Sequence, residues 1–570
     1  MTSSTEIMPV HMHISPKNSE GFAVNFPYSE EDVRRIKLVL GFAEFSKAHK
    51  SWLCEGPEVL LDMERFGIKP AWMSSEARVI AEDFRLQLWK SLEARQEPIY
   101  EEEYGYQRQG TKFLSLQRRA ILGDDMGLGK TKQALDAINA VGANRTLVMA
   151  PKTLTYNWMA EVAKWRPEYS VGVVPDNKDD SKRLGPGRKS FWKNPPQIVI
   201  ANYEKMRGED WPWKIQWDVL ICDEASKLKN STTITWKNIR TISRNMNPDM
   251  GYFWALTGTP LEIRLEELYN IFHLIRPAVL GGFSRFRDQH LKTAYNGDVV
   301  GVQNLDLLRD RIGYFMLRRT KEEVLDKLPA KLPPQNVFIK MSIEEQKDYQ
   351  ELLADFGEFL EGKELNSGDP MVKTLRMRQF CCTPAIWDVP RRGSKYEALL
   401  EIIKDWPGRV VVFCFFEEVT RLLSSWLKAD VGHNPEAYIA GNVLPRDRIE
   451  RVRQFNEGKL GNVFISTDAG QQGLNIVGAD LIIHYDQLWN PQKMHQREDR
   501  LHRIGQERVV NVINMLYMDT IDYGMYELNL EREELFNDVI EGAEEVMVKK
   551  LSPARLKRIA EGKLNGNRPD

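Results

Sequence analysis

The segment Gly123-Asp-Asp-Met-Gly-Leu-Gly-Lys-Thr131 sets glycines, a lysine and a hydroxyl in a row ahead of a helix. Such a turn points backbone N–H groups and a helix N-terminus at an anion, while the lysine reaches the β/γ-phosphates of a nucleotide. Gly127 and Gly129 allow close backbone approach, Lys130 supplies a point charge, and Thr131 can place its hydroxyl on Mg²⁺. A Gly-Lys-[Ser/Thr] triplet by itself arises by chance in roughly one chain in three of this length, so the motifs that follow decide its weight. Asp223 and Glu224 close the apolar run Val219-Leu-Ile-Cys222, so two carboxylates emerge at a strand tip. A metal and a water give both a role: Asp223 holds the metal and Glu224 orients the attacking water. Thr257-Gly-Thr259 comes next, and then Gln496-Arg-Glu-Asp-Arg-Leu-His-Arg-Ile-Gly-Gln506. Arg500 and Arg503 there share a helix face if that segment is helical. Arginines so placed can stabilise charge on a γ-phosphate, an effect worth roughly 10³–10⁵ in rate. Taken alone, the pair reads better as a solvated basic face.

These residues need a sheet to hold them. Apolar runs at 146–149, 197–200, 219–222 and 253–256 alternate with helical stretches, and each ends beside a polar or glycine-bearing motif. This is the pattern of a parallel α/β sheet with a ligand site at its C-terminal edge. The rhythm is lost from 276 to about 390, where helical segments and the proline-rich joint Leu328-Pro-Ala-Lys-Leu-Pro-Pro334 read as an interdomain connection. It resumes at 409–414, 462–466, 481–484 and 509–515, the strands of a second α/β lobe.

The resulting division is a flexible leader over 1–20, a small module over 21–76, a connecting helical segment over 77–99 and a nucleotide-binding lobe over 100–275. Insertions and linker at 276–390, a second lobe at 391–535 and a helical tail at 536–570 complete it. In the module, Ser29, Glu30, Glu31 and Asp32 precede the periodic Val33, Ile36, Leu38 and Val39, which marks a helix. An extended segment at 50–54 and a second helix from Pro57 to near Gly67 follow.

Composition excludes several classes. The 570 residues are 42% hydrophobic and 28% charged with a net charge of −2, values of a globular chain rather than a disordered one. No apolar run approaches the roughly 18–20 residues a bilayer crossing needs, and the first residues lack a secretory signal, so an intracellular site is expected, cytoplasmic or, in a eukaryote, nuclear. Five cysteines without a C-x-x-C spacing point to reduced thiols rather than zinc. His11 and His13 read as part of a disordered end rather than a metal site.

Taken in order, the motifs resemble the Swi/Snf-like branch of superfamily-two helicases and DNA translocases over about residues 100–535. The likeness rests on Tyr106-Gln107, Asp125-Met-Gly-Leu-Gly-Lys-Thr131, Ala150-Pro151 with Asn157-Trp158, Asp223-Glu224-Ala225, Leu256-Thr-Gly-Thr-Pro260 and Arg264-Leu-Glu-Glu-Leu-Tyr269. It continues through Leu317-Arg-Arg-Thr-Lys321, Cys381-Cys-Thr-Pro384, Ser466-Thr467 with Gly473-Leu-Asn475, and Arg500 to Gln506. The resemblance implies an α/β fold of two RecA-like parallel-sheet lobes with helical insertions between them and a small N-terminal module. It implies a DNA-dependent ATPase with ATP and Mg²⁺ as cofactors. Gln107 would read the adenine, and Asp125, Met126, Gly127, Leu128, Gly129, Lys130, Thr131 and Gly473 would bind nucleotide. Thr131 and Asp223 would hold the metal, and Lys130, Glu224, Arg500 and Arg503 would act in hydrolysis. DNA, duplex or branched, would be met mainly through its phosphates near Lys152, Thr153, Tyr203, Thr259, Ser466 and Thr467; protein partners are also compatible with such a motor.

Three departures bear on that reading. Asp124 replaces the first glycine of the general phosphate loop. Ser226 stands where histidine is usual, which weakens the link to Thr257-Gly-Thr259, and Gln471-Gln472 replaces a more glycine-rich stretch. The N-terminal module, with Phe26, Val33, Ile36, Trp52 and Phe66-Gly67-Ile68, resembles the recognition module of HARP-type annealing helicases, which implies fork remodelling. Two further readings are a nucleic-acid-binding scaffold with a regulatory ATP site, on Ser226 and Gln471-Gln472, and a restriction motor, on Asp176 with Asp180-Ser-Lys182.

Overall fold

The computed structural model describes residues 10–15, 18–26, 44–54, 57, 59–65, 70–96, 104–175, 188–207, 215–247, 250–258, 264–295, 299–325, 328–362, 369–387, 389–468, 475–537, 546–547 and 553–564. The chain divides into two compact units. One draws on Met1–Asp125, Gly129–Thr320 and Asp538–Val548, and the other on Met126–Leu128, Lys321–Asn537 and Lys549–Asp570. Among the described residues, no helix is long and apolar enough to cross a membrane.

The first unit carries a seven-stranded sheet in the order Met316–Leu317, Arg119–Leu122, Tyr252–Leu256, Val219–Asp223, Thr146–Ala150, Ile198–Asn202, Val171–Val173, with every neighbouring pair parallel. The strands Thr146–Ala150, Ile198–Asn202 and Val219–Asp223 are buried along their whole length, which is why they read as unbroken apolar runs rather than alternating ones. Phe113, Trp158 and Trp254 lie in this core with no exposed surface.

Trp254 Nε1 donates to the Gln117 carbonyl at 3.1 Å. The Gln117 side chain itself is 1% exposed, and among the described residues neither its oxygen nor its nitrogen has a hydrogen-bond partner. Removing an unsatisfied buried amide while keeping side-chain length should stabilise the fold. Gln117→Met is expected to raise the stability of this unit by about 1 kcal/mol, read as a higher urea midpoint. An unchanged or lower midpoint would mean that the amide is satisfied in solution.

The second unit has a six-stranded parallel sheet in the order Gln335–Ile339, Asn511–Tyr517, Leu481–His484, Val410–Phe413, Val463–Ser466, Tyr438–Ile439. The segment read as insertions and linker over 276–390 thus contributes strand Met316–Leu317 to the first sheet and Gln335–Ile339 to the second. Both join an edge. Their pairing is set by distant partners, so local periodicity carries no trace of it.

A separate N-terminal sheet runs in the order Glu44–Ser46, Ser51–Cys54, Asn18–Asn25, Val10–Ser15, Pro70–Met73. At 10–15 and 18–20 these strands correct the flexible leader expected over 1–20, whose other residues lie outside the described residues. Val10 and Met12 are buried while His11 and His13 are exposed, the two-residue alternation of a half-buried strand. The His13 ring lies 4.8 Å from that of Trp72 on the neighbouring strand. Trp52 pairs with Val24 and Phe45 inside the sheet. Helices Val59–Arg65 and Ser75–Gln96 follow. The helix expected after Ser29, together with Val33, Ile36, Phe66, Gly67 and Ile68, lies outside the described residues.

The tail is not wholly helical. Val546–Met547 pairs antiparallel with Val299–Val302, which also pairs with Leu291–Thr293, and helix Pro553–Ala560 comes after it. Val546 and its partner Val302 are β-branched, which suits a strand better than a helix.

Candidate nucleotide site

Strand Arg119–Leu122 feeds directly into the glycine-rich loop. The loop's first residues extend the sheet ladder: Gly123 N–H donates to Leu317 O at 2.7 Å and Asp125 N–H to Arg319 O at 2.9 Å. Gly127 and Gly129 have φ of +91° and +74°, left-handed values that favour glycine. A Cβ on Gly129 would stand 2.5 Å from Gln107 Nε2, so a side chain there would have to displace the Gln107 amide. Helix Lys130–Ala140 begins at the next residue.

The Lys130 ammonium donates to the carbonyls of Asp124 at 2.6 Å and Asp125 at 3.0 Å. Burial lowers its pKa, against the pull of Glu224, Asp124, Asp223 and Asp125. Asp223, at the tip of strand Val219–Asp223, is 8% exposed. Its carboxylate accepts from Trp158 Nε1 at 2.7 Å and from the Glu224 N–H at 3.0 Å. Burial raises its pKa, opposed by the Trp158 hydrogen bond and the Lys130 charge. Glu224 is held at φ +49°, a strained value for a residue with a side chain. The structure therefore brings Lys130, Asp223 and Glu224 into one electrostatic cluster, in which Asp223 is buried and Lys130, Glu224 and the neighbouring Thr131 are half-buried. The donors Thr131 hydroxyl and Asp223 carboxylate are all oxygen, which fits Mg²⁺. Left-handed glycines before a helix N-terminus fit a phosphate chain.

A family model described as the SNF2-related domain matches residues 72–386, more than half of the chain, and one for the helicase conserved C-terminal domain matches residues 394–505. The chain belongs to the SNF2-related family. An uncharacterized ATP-dependent helicase of Mycoplasma pneumoniae is 30% identical to it over 454 residues, covering 76% of this chain and 42% of the relative. The putative ATP-dependent helicase/translocase YwqA of Bacillus subtilis is 29% identical, covering 76% and 48%. This SNF2-related chain thus spans less than half the length of these curated relatives. Among solved structures it is similar to a Sulfolobus solfataricus SWI2/SNF2 ATPase core in complex with dsDNA, at 24% identity and TM-score 0.37, over 80% of this chain and 96% of that one.

Several residues stand differently from expectation in this SNF2-related chain. Arg500 and Arg503 do not share a helix face. Helix Pro491–Glu498 ends before them, and both lie in the turns that follow, with Arg500 5% exposed and Arg503 half-buried. The helix breaks because the Arg500 carbonyl accepts from Ile476 N–H at 2.9 Å, and Gly505 follows at φ +99°. Tyr203, expected to meet DNA, is buried. It is 5% exposed, and its hydroxyl donates to the Asp223 carbonyl at 2.7 Å, bracing the carboxylate strand from within. Ser466 and Thr467 are likewise buried, and Ser466 Oγ donates to Thr467 O at 2.9 Å. Lys152 and Thr153 are exposed on the turn Lys152–Leu154. Gln107 is 6% exposed. Thr259, Gly473, Gln471, Gln472, Asp176, Asp180 and Lys182 lie outside the described residues.

Other residues, named only as parts of motifs, take definite structural roles. Arg318 donates to the carbonyls of Gly123 and Gly258, each at 3.2 Å, so it ties the phosphate loop to the Thr257-Gly258 motif independently of Ser226. In the second unit the fully buried Arg497 pairs with Asp468 at 2.8 Å and Asp486 at 3.2 Å, joining the end of strand Val463–Ser466 to helix Pro491–Glu498. Cys382, Cys414 and Asp486 also bring three potential ligand atoms within 4.8 Å of one another. Both Asp486 oxygens, however, already accept from the Phe415 N–H, and the Arg497 guanidinium sits against them, which opposes a cation.

Proposed function

We propose that this chain is an ATP-dependent DNA translocase motor that hydrolyses ATP on duplex or branched DNA. The observation that carries the reading is the single electrostatic cluster of Lys130, Glu224 and the buried Asp223 behind a left-handed glycine loop. Gln107 meets the adenine, the loop N–H groups and Lys130 hold the phosphates, and Thr131 with Asp223 holds Mg²⁺. The metal, when bound, neutralises charge developing between the β- and γ-phosphates. Glu224 orients the attacking water, and Arg500 and Arg503 stabilise the transferred phosphoryl charge. Lys152 and Thr153 contact DNA phosphates, so binding weakens as salt rises and ignores sequence.

The test is steady-state ATP hydrolysis with no nucleic acid, duplex DNA, single-stranded DNA, RNA and a fork. Duplex or fork should stimulate the rate well above the others. Hydrolysis indifferent to all of them would sink the motor reading and favour a scaffold with a regulatory ATP site.

A further inference from the structure

One buried guanidinium in the first unit ties the glycine-rich loop to helix Gly105–Leu116 and helix Lys130–Ala140. Arg319 is 6% exposed and follows the edge strand Met316–Leu317. Its Nε donates to Asp124 Oδ1 at 3.0 Å, and one terminal nitrogen pairs with Asp124 Oδ2. That nitrogen also donates to Gln133 Oε1 at 2.9 Å. The other donates to Gln109 Oε1 at 3.0 Å and to the Tyr106 carbonyl. Gln133, on helix Lys130–Ala140, closes the ring by donating to Asp124 Oδ2 at 3.1 Å. Gly110 makes room for the network: a Cβ there would stand 1.7 Å from Gln133 Oε1 and 2.8 Å from Arg319 Nη2. Asp124 is therefore held at both ends. Its carboxylate, with no exposed surface, is clamped by Arg319 and Gln133, while its carbonyl accepts from Lys130.

We infer that Arg319 is a positioning residue for nucleotide: through Asp124 and Gln133 it sets the loop that presents Lys130, and through Gln109 and Tyr106 it locks the helix of Gln107 to that loop. The inference rests on the ATP-site reading above. A planar guanidinium suits the task because it donates in fixed directions to several acceptors at once, which an ammonium cannot do. The acidic residue that departs from the glycine pattern is then the loop's anchor.

The full chain and its Arg319→Met, Arg319→Lys and Gln133→Leu variants are titrated with fluorescent N-methylanthraniloyl-ADP and Mg²⁺, with thermal midpoints and nucleotide-free duplex binding measured alongside. Arg319→Met should weaken nucleotide binding at least about tenfold, as loss of charge-assisted hydrogen bonds implies. Arg319→Lys should recover part of that loss, and Gln133→Leu should weaken binding about threefold. Duplex binding should not change, and the KM for ATP should rise more than kcat falls. Should Arg319→Met fail to fold, the other two variants decide. If the folded variants bind the nucleotide within about twofold of wild type, whatever their midpoints, Arg319 is merely structural and the inference is overturned. Wild-type chain that binds no Mg²⁺-nucleotide overturns the ATP-site reading and the inference with it.

Discussion

On the proposed reading, Glu224→Gln should lower DNA-stimulated ATP hydrolysis by about 10²–10⁴-fold, the span of a lost general base or water-orienting carboxylate. The amide keeps the shape and length of the side chain but cannot accept a proton from the attacking water. Glu224 makes its backbone contribution through an N–H that donates to Asp223 Oδ1, and glutamine retains it. The variant should therefore fold with an unchanged thermal midpoint, and its nucleotide affinity should stay within about threefold of wild type, as for a group used chiefly in the transition state. Phosphate release measured at saturating duplex DNA checks the rate. A variant keeping more than a tenth of the wild-type rate would remove Glu224 from the chemistry and leave its left-handed φ of +49° without a catalytic reason.

Lys395→Met should be the most damaging single change to the second unit. Lys395 has no exposed surface and pairs with Asp522, which is 2% exposed. The Lys395 ammonium lies 5.5 Å and 5.3 Å from the ring centroids of Tyr485 and Tyr517. The Lys395 N–H donates to Tyr517 Oη at 2.8 Å, and that hydroxyl donates to Glu345 Oε1 at 2.8 Å. Burial works against the ammonium, but Asp522 together with Cys382 and Cys381 holds the Lys395 pKa above the usual lysine value. Removing one member of such a pair leaves an uncompensated buried charge, a loss of about 3–5 kcal/mol. The double variant Lys395→Met/Asp522→Leu should recover most of that, because an apolar pair of similar volume carries no such penalty.

The pH dependence has a definite sign. Burial already raises the Asp522 pKa, with Lys395 pulling it down, so loss of the lysine raises it further. A carboxyl whose folded pKa is raised favours the fold below its unfolded pKa and loses that contribution as pH rises through the folded one. The deficit of Lys395→Met should thus be smallest in acid and grow towards neutral pH. Urea midpoints across that range give the answer, and a double variant no better than the single one would refute the assignment.

Local sequence sufficed wherever structure and chemistry are both local. The strands around 146–150, 198–202, 219–223 and 252–256 could be read from their apolar runs because a parallel strand buried on both faces has no polar alternation. The phosphate loop could be read because left-handed backbone before a helix demands glycine at particular positions, here 127 and 129. The paired carboxylates stood out because charge at the end of an apolar run must have a use.

Tertiary structure alone decided the rest. Met316–Leu317 and Gln335–Ile339 join their sheets through partners far away in the chain, and two to five residues hold no period that announces it. Val10–Ser15 passed for a loose end because the strands that bury Val10 and Met12 come later in the sequence. Arg500 and Arg503 have the spacing of a helix face, yet the helix ends before them. Asp124 looked like a tolerated flaw in a glycine loop, because the arginine it clamps lies 195 residues further on. Sequence by itself picked out the groups proposed for the chemistry; the long-range hydrogen bonds of buried charges, which no local pattern encodes, decided what holds them in place.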